Sequence, residues 1–189
     1  MPGLVIWFTG LPAAGKSTLA ALTRARLSDA GIDVELLDGD DTRGRFFPEL
    51  SFDPASRDEH VRRLSLLAAM LERHGVATIV AAIAPNEAAR QAARARASTF
   101  VEVFVDTPVE ECIRRDPKGM YARALRGDLA DFTGVSAPFD PPSHPELDVQ
   151  TTGRTPDECV DQVLDYLVRE GLIDAPTLRP ACPRGRAAS

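Results

Sequence analysis

The chain predicts an α/β protein with a mainly parallel, five-stranded sheet flanked by helices. Three observations carry that prediction. Strand-like and helix-like segments alternate along nearly all of the 189 residues, the pattern that builds parallel sheets through helical crossovers. The strand candidates are near-continuous apolar runs, such as Ala77-Thr78-Ile79-Val80-Ala81-Ala82-Ile83, which suits strands covered on both faces. The first of them, Leu4-Val5-Ile6-Trp7-Phe8, runs into Gly10-Leu11-Pro12-Ala13-Ala14-Gly15-Lys16-Ser17-Thr18. That is a strand entering G-x-x-x-x-G-K-[ST], the phosphate-binding loop, so the fold expected is the P-loop NTPase fold.

The elements follow in order. Strands are expected at 4–9, 33–37, 76–83, 100–105 and 147–150, and helices at 16–30, 54–74, 86–97, 108–115, 118–126 and 155–170. Asp53-Pro54 is a helix start, with Asp as N-cap and Pro at the first helical position. Asp106-Thr107-Pro108 reads the same way. Gly31 and Gly75 are plausible helix stops. The stretch 127–146 is rich in Pro, Gly and Asp without helical periodicity, and a loop that long in a compact domain is usually functional. One kinase-like domain is expected over 1–174, with a lid at about 116–142. The tail 175–189 carries prolines and arginines with little to bury and is expected to be disordered.

Composition excludes several classes. Hydrophobic residues make up 44% and charged residues 26%, as in an ordinary globular protein. A net charge of −6 argues against a nucleic-acid partner, which calls for a basic footprint. No apolar run approaches the ~20 residues that span a bilayer, so no membrane partner is expected. The N-terminus enters the first strand almost at once, which argues against a signal peptide. Cys112, Cys159 and Cys182 are odd in number and widely spaced, so neither a disulfide nor a metal pattern is expected. Cys112 and Cys159 read as small buried helix residues, and the expected compartment is the reducing cytoplasm.

The loop fixes the cofactor class. The stretch Gly10 to Thr18 should cradle the phosphates of ATP with backbone N–H groups and a helix N-terminus. Lys16 should reach the β- and γ-phosphates, and Ser17 should ligate Mg²⁺. Gly10 and Gly15 supply backbone conformations that a Cβ forbids. A second constellation, Asp38-Gly39-Asp40-Asp41-Thr42-Arg43, follows the second strand, at the carboxyl end where open α/β sheets place ligands. The third strand ends in Ala-Ile-Ala-Pro rather than in an acid, so Asp38 and Asp40 are the available carboxylates. One could serve Mg²⁺ and one could accept a substrate proton. The same residues also read as a polar turn in which the Asp side chains cap the backbone.

Arg57, His60, Val61 and Leu64 fall on one helical face, which carries Arg57 and His60 to the cleft mouth beside a core stripe. Arg43, Arg57, Arg62 and Arg63 concentrate cations on the acceptor side and suit an anionic second substrate. One of Arg62 and Arg63 is expected to be an ordinary solvated arginine, a reading that suits Arg57 less. Lys118, in Asp116-Pro117-Lys118-Gly119, would add positive charge as phosphoryl charge develops. Phe132 in a Gly/Asp loop reads either as a stacking platform for a base or as a hinge residue under its own loop, and Phe52 invites the same two readings. His74 and His144 read as surface residues.

Together these residues resemble the adenylylsulfate kinase family. The resemblance runs from about 4 to 152 and rests on Val5-Ile-Trp-Phe-Thr-Gly-Leu, Leu37-Asp-Gly-Asp, Arg57-x-Glu59-x-x-Arg62-Arg63, Val103-Phe-Val-Asp-Thr-Pro, Arg115-Asp-Pro-Lys-Gly and Phe132-Thr-Gly. It implies transfer of the ATP γ-phosphoryl group to the 3′-hydroxyl of adenosine 5′-phosphosulfate (APS). It also implies Asp38 and Asp40 as Mg²⁺-linked and catalytic acids, with Lys118 as the lid lysine. Arg43, Phe52 and Arg57 match acceptor-binding positions, and Phe132 matches the second aromatic around the APS adenine. His60 and Ala84 stand at further acceptor-side positions. The partner implied is a small anionic adenine nucleotide, and a homodimer remains open.

Departures from the family pattern cluster on that side. The Ser-Gly inside the loop is Pro12-Ala13. Elsewhere the changes are Asp41, Gly44-Arg45-Phe46, His60 in place of Asn, Ala84 in place of Ser, and Asn86 in place of an aromatic. They leave open a kinase acting on a different hydroxyl. A non-catalytic nucleotide-binding domain stays a third alternative, although a pure binder has no need of the two acids.

Overall fold

Five strands, all parallel, form one sheet in the order β2-β3-β1-β4-β5. The computed structural model describes residues 3–174, so the expected tail at 175–189 and Cys182 lie outside the described residues. The strands are β1 (Leu4–Thr9), β2 (Val34–Asp38), β3 (Ala77–Ala81), β4 (Phe100–Asp106) and β5 (Leu147–Gln150). The helices are α1 (Lys16–Asp29), α2 (Gly39–Phe46), α3 (Pro54–Arg73), α4 (Glu87–Arg94), α5 (Val109–Arg115), α6 (Met120–Leu125) and α7 (Pro156–Arg169).

β1 shows why the sheet has two dry faces. Leu4, Ile6 and Phe8 pack with Leu19 and Leu27 of α1 and Val163 and Leu167 of α7. Val5 and Trp7 pack on the other side with Val61, Leu64 and Ala68 of α3 and Ala93 of α4. Successive side chains of a strand point to opposite faces, so an unbroken apolar run is what a central strand between two helical layers requires. Each such large side chain contributes roughly 1.5–3 kcal/mol relative to exposure.

Caps set the helix ends. The Asp53 side chain accepts the Ser56 N–H and Pro54 opens α3. The Ser51 and Ser56 hydroxyls and the Ser56 amide hold the Asp53 carboxyl well below its ordinary range. Thr155 and Glu158 form a reciprocal capping box on α7. Gly31 and Gly75 follow α1 and α3 in the left-handed region.

Two expectations need correction. The segment after Asp38 is a helix, α2, and not only a polar turn. Its sequence, Gly-Asp-Asp-Thr-Arg-Gly-Arg-Phe, has no apolar stripe, and it forms because the Asp38 side chain accepts the Asp40 and Asp41 N–H groups. Asp106-Thr107-Pro108 does not cap α5 through a side chain, since Pro108 itself is the N-cap. Thr107 instead donates to Ala14 O at 3.0 Å and pairs with the Thr151 hydroxyl at 2.7 Å, which braces the phosphate loop against the end of β5.

Candidate active site

The loop after β1 has its form imposed by backbone constraints. Gly10 has φ +144°, and a Cβ there would sit 2.6 Å from Val105 O. Gly15 has φ +111° and stands as the N-cap of α1, with no side chain taking up the helix's first N–H groups. That arrangement leaves a helix N-terminus to an anion. Ala13 sits at φ +59°, the left-handed region in which a Cβ costs about 1–2 kcal/mol, at the position where the family pattern has Gly. Lys16 is buried and donates to Gly10 O at 3.0 Å and Leu11 O at 2.7 Å. Burial pulls its ammonium down to about 8, against the opposing fields of Cys112, Asp40 and Asp38.

Side chains from two other segments close over the loop. Ser17 Oγ donates to Asp38 Oδ2 at 2.6 Å, while Asp38 Oδ1 accepts from Asp40 N at 3.0 Å and Asp41 N at 3.4 Å. Asp38 therefore fulfils both readings: it caps α2 and it faces the phosphate loop. Asp40 projects from the first turn of α2 and is paired through Oδ2 with Lys118 Nζ at 2.6 Å. The Asp40 carboxylate raises the Lys118 ammonium above its ordinary value. The pair is exposed, so its worth as stability is small; it marks where the 116–142 segment meets α2.

The other end of the cleft is walled by α2, α3 and the 116–142 segment. Arg43 donates to Ser51 O at 2.6 Å and lies over the Phe52 ring, 4.9 Å from its centroid. Phe52 is 62% exposed. Arg57 donates to Thr133 Oγ1 at 2.9 Å and to Asp131 O, which ties α3 to the residues flanking Phe132. Phe132 is buried, with its ring edge-on to Tyr121 at 5.0 Å, and the Tyr121 hydroxyl donates to Pro12 O at 3.2 Å. Phe132 thus has a core role that the sequence did not signal. Both rings nonetheless line the same cavity.

His60 is buried beside Phe47, its Nε2 3.4 Å from Thr42 Oγ1. The Thr42 hydroxyl donates its proton to Asp38 O at 2.7 Å, so its oxygen accepts and the imidazole carries its proton on Nε2. Burial, reinforced by Arg43, lowers the His60 pKa to about 4, and the ring is neutral at neutral pH. Ala84 has φ +44° and closes the wall after β3.

One cavity of about 1060 Å³ joins these parts, at the upper end of the range for sites that enclose one ligand. Every site residue expected from the sequence lines it except Gly10 and Leu11, which lie at its rim or behind it. The departures from the family pattern divide. Pro12, Ala13, His60 and Ala84 line the cavity, whereas Asp41, Gly44, Arg45, Phe46 and Asn86 do not. Asp41 pairs with Arg45 at 2.7 Å on the outside of α2. Asn86 caps α4 by accepting the Ala88 N–H, and its amide faces Asp58. Arg62 and Arg63 are also corrected, because both pair with Glu59, at 2.6 and 2.7 Å, and neither lines the cavity.

Sequence reasoning missed the far end. Arg115, Thr151, Arg154 and Pro156 line the cavity beyond the phosphate loop, and Arg115 donates to Thr151 Oγ1 at 3.0 Å and to Ala14 O at 3.2 Å. The available signal was Thr151, one residue past β5, at the strand end where open sheets place ligands.

The family profile described as adenylylsulphate kinase matches residues 2–150. A curated adenylyl-sulfate kinase from Synechococcus sp. (strain JA-3-3Ab) is 44% identical over 171 residues, 90% of this chain and 97% of the relative. The solved structure of the Mycobacterium tuberculosis APS kinase CysC in complex with AMPPNP and APS superposes with a TM-score of 0.85 at 40% identity, covering 88% of this chain and 98% of that one. A gluconokinase from Sinorhizobium meliloti 1021, at 16% identity and TM-score 0.57, shares the fold. With a matching profile across most of its length, and with a phosphate loop, two acids and a lysine converging on one cavity, the chain belongs to the adenylylsulfate kinase family.

Proposed function

We propose that the chain transfers the γ-phosphoryl group of ATP to the 3′-hydroxyl of APS, as an adenylylsulfate kinase. The single observation that carries the reading is a pair of contacts. Ser17–Asp38 and Lys118–Asp40, each 2.6 Å, gather three sequence-distant segments at the mouth of the phosphate loop. A module that only binds nucleotide needs the loop and not the acids.

Roles follow from chemistry and position. Gly10 to Thr18 hold the ATP phosphates, and Lys16 neutralises charge that grows on the transferring group. Asp40 takes the proton of the acceptor hydroxyl, a step worth roughly 10²–10⁴ in rate. It does so once Lys118 leaves it for the phosphate, and Lys118 then stabilises the transferred group. The Ser17 hydroxyl and the Asp38 carboxylate are hard oxygen donors in contact beside the loop, which suits Mg²⁺. They would hold that ion directly or through water, and it would offset phosphate charge. Arg115, Arg154 and Pro156 take the ATP base. Arg43 and Arg57 attract the acceptor's anionic group, and Phe52 and Phe132 face its adenine. One domain over the described residues, with 116–142 as its lid, fits these roles, and a reducing cytoplasm fits two buried thiols. No described helix is long and apolar enough to cross a membrane.

The test is ADP release by purified protein with ATP and Mg²⁺, compared across APS, AMP, adenosine and no acceptor. Stimulation by APS alone is expected. Stimulation by another compound with none by APS would transfer the reading to a kinase whose acceptor is set by His60 and Ala84.

A further inference from the structure

We propose that Arg90, outside the cavity, is a positioning residue for the acceptor: it clamps the wall after β3 to the downstream end of the lid. The inference rests on the reading of that end of the cleft as the acceptor site. The Arg90 side chain is fully buried, a rare state for an arginine that is not paired. One guanidinium nitrogen, Nη1, donates to Ala84 O at 2.6 Å. The other, Nη2, donates to Asp140 O at 2.6 Å and to the Glu87 carboxylate. Nε lies 2.9 Å from Glu102 Oε1, an ion-pair contact whose geometry makes no hydrogen bond. The plane packs over Phe139, 5.6 Å from the ring centroid, and Phe139 in turn stacks on Phe104 of β4 at 6.1 Å.

Two of those partners are main-chain carbonyls of segments that meet nowhere in sequence. Ala84 lines the cavity and holds a left-handed conformation that a Cβ disfavours, so some contact must over-determine it. Asp140 ends the lid, and its N–H donates to Pro85 O at 2.9 Å, one residue beyond the strained position. The planar fork of arginine serves two carbonyls and a carboxylate together, which the single ammonium of lysine does not. The base of the clamp is fixed from below. Glu102 of β4 also meets Arg94 at 3.1 Å, and Arg94 meets Glu146 at 2.5 Å. Burial of such a network is weak evidence for stability in itself. Its geometry explains what it does here: it transmits the rigidity of β4 to the acceptor wall and to the segment around Asp140.

The test uses Arg90→Lys in the full chain, with initial rates measured against APS at saturating ATP and against ATP at saturating APS. Amide exchange is followed in parallel at Asp140 and at Ile6 in the sheet. Expected are an APS KM raised about tenfold, a loss of about 1.4 kcal/mol, an ATP KM within twofold, and faster exchange at Asp140 with Ile6 unchanged. Adding Ala84→Gly removes the strain that the clamp opposes and should return the APS KM toward wild type. Equal rises in both KM values, or a lower rate with unchanged KM values and unchanged Asp140 exchange, would overturn the proposal. Should Arg90→Lys fail to fold, Glu102→Gln leaves Arg90 in place but loosened, and a smaller APS-selective shift is expected; none would count against the clamp. Wild-type protein without APS turnover would refute the function instead, and Asp140 exchange would still test the clamp.

Discussion

The two ends of the cavity are built in opposite ways. The phosphate end comes from one contiguous stretch, Gly10 to Thr18, whose shape is set by backbone angles and a helix N-terminus. The opposite end, which the proposed function gives to the acceptor, is assembled from α2, α3, the wall after β3 and the 116–142 segment, joined by Arg43, Arg57 and Arg90. The difference teaches where change is tolerated. At the phosphate end an altered side chain leaves the defining glycines and Lys16 in place. At the opposite end a substitution at a cavity-lining position such as His60 or Ala84 alters the wall itself or a tie that holds another segment.

The comparison predicts that loss of chemistry and loss of acceptor affinity are separable. The largest effect is expected from Asp40→Asn, with kcat lowered roughly 10²–10⁴-fold and ATP affinity nearly unchanged. A kcat within a few-fold of wild type, together with a collapse in Asp38→Asn, would reverse the two assignments. Asp38→Asn keeps an oxygen that can cap α2, whereas Asp38→Ala should in addition lose about 1 kcal/mol of stability, because Asp38 caps α2 where Asp40 caps nothing.

Lys16→Ala should cost about 3 kcal/mol or more in turnover while the protein stays folded, since the lysine's hydrogen bonds are to the loop itself. Its titration gives a sharper test. Burial sets the pKa near 8 in the free enzyme, and a bound phosphate favours the charged form. ATP affinity should therefore be flat below pH 8 and weaken by up to about tenfold per pH unit above it. Binding measured by calorimetry should show that break, and Lys16→Arg, which keeps its charge, should bind less well without it. For stability the sign is opposite: between about 8 and 10.5 the unfolded chain holds a proton that the folded chain lacks, so this group favours folding increasingly as pH rises through that window.

Phe52→Ala and Phe132→Ala should divide what one aromatic pair does. Stacking on a base is worth roughly 1–3 kcal/mol, so each should raise the APS KM about tenfold. Phe52 is exposed and its loss should leave Tm unchanged, whereas Phe132 packs into the core against Tyr121 and its loss should lower Tm as well. An unchanged APS KM in both variants would remove the adenine sandwich. The smallest effect is reserved for Ala13→Gly. Release of the left-handed Cβ should outweigh the extra chain entropy of Gly by at most about 1 kcal/mol, seen as a small rise in Tm with kinetics unchanged.

The same contrast decides what was legible in the sequence. β1 and the phosphate loop stood out because a local pattern encodes them, an apolar run followed by fixed glycines. Asp38, Asp40 and Lys118 were legible as types, and their convergence needed the fold. Helix α2 was missed because its polar, Gly-containing sequence carries no period, and its N-terminal cap comes from one Asp side chain. Arg90 and Glu102 carried no signal, since a buried ion pair between a helix and a strand looks like two ordinary charges. Phe132 was read only as ligand-facing or hinge, because a ring edge-on to Tyr121 depends on a contact eleven residues upstream. Arg62 and Arg63 attracted attention by charge and proved to be satisfied by Glu59.

The central claim is that the acids of α2 and the lysines of the loop and lid act on a ribose hydroxyl held by the acceptor wall. The most direct measurement is the position of the new phosphate after the protein is incubated with ATP, Mg²⁺ and APS, read by phosphorus–proton correlation in the isolated product. The account predicts a phosphate coupled to the ribose 3′ proton, formed with one ADP per APS consumed and lost in Asp40→Asn. A phosphate on another atom, or ADP formed while APS remains intact, would contradict it.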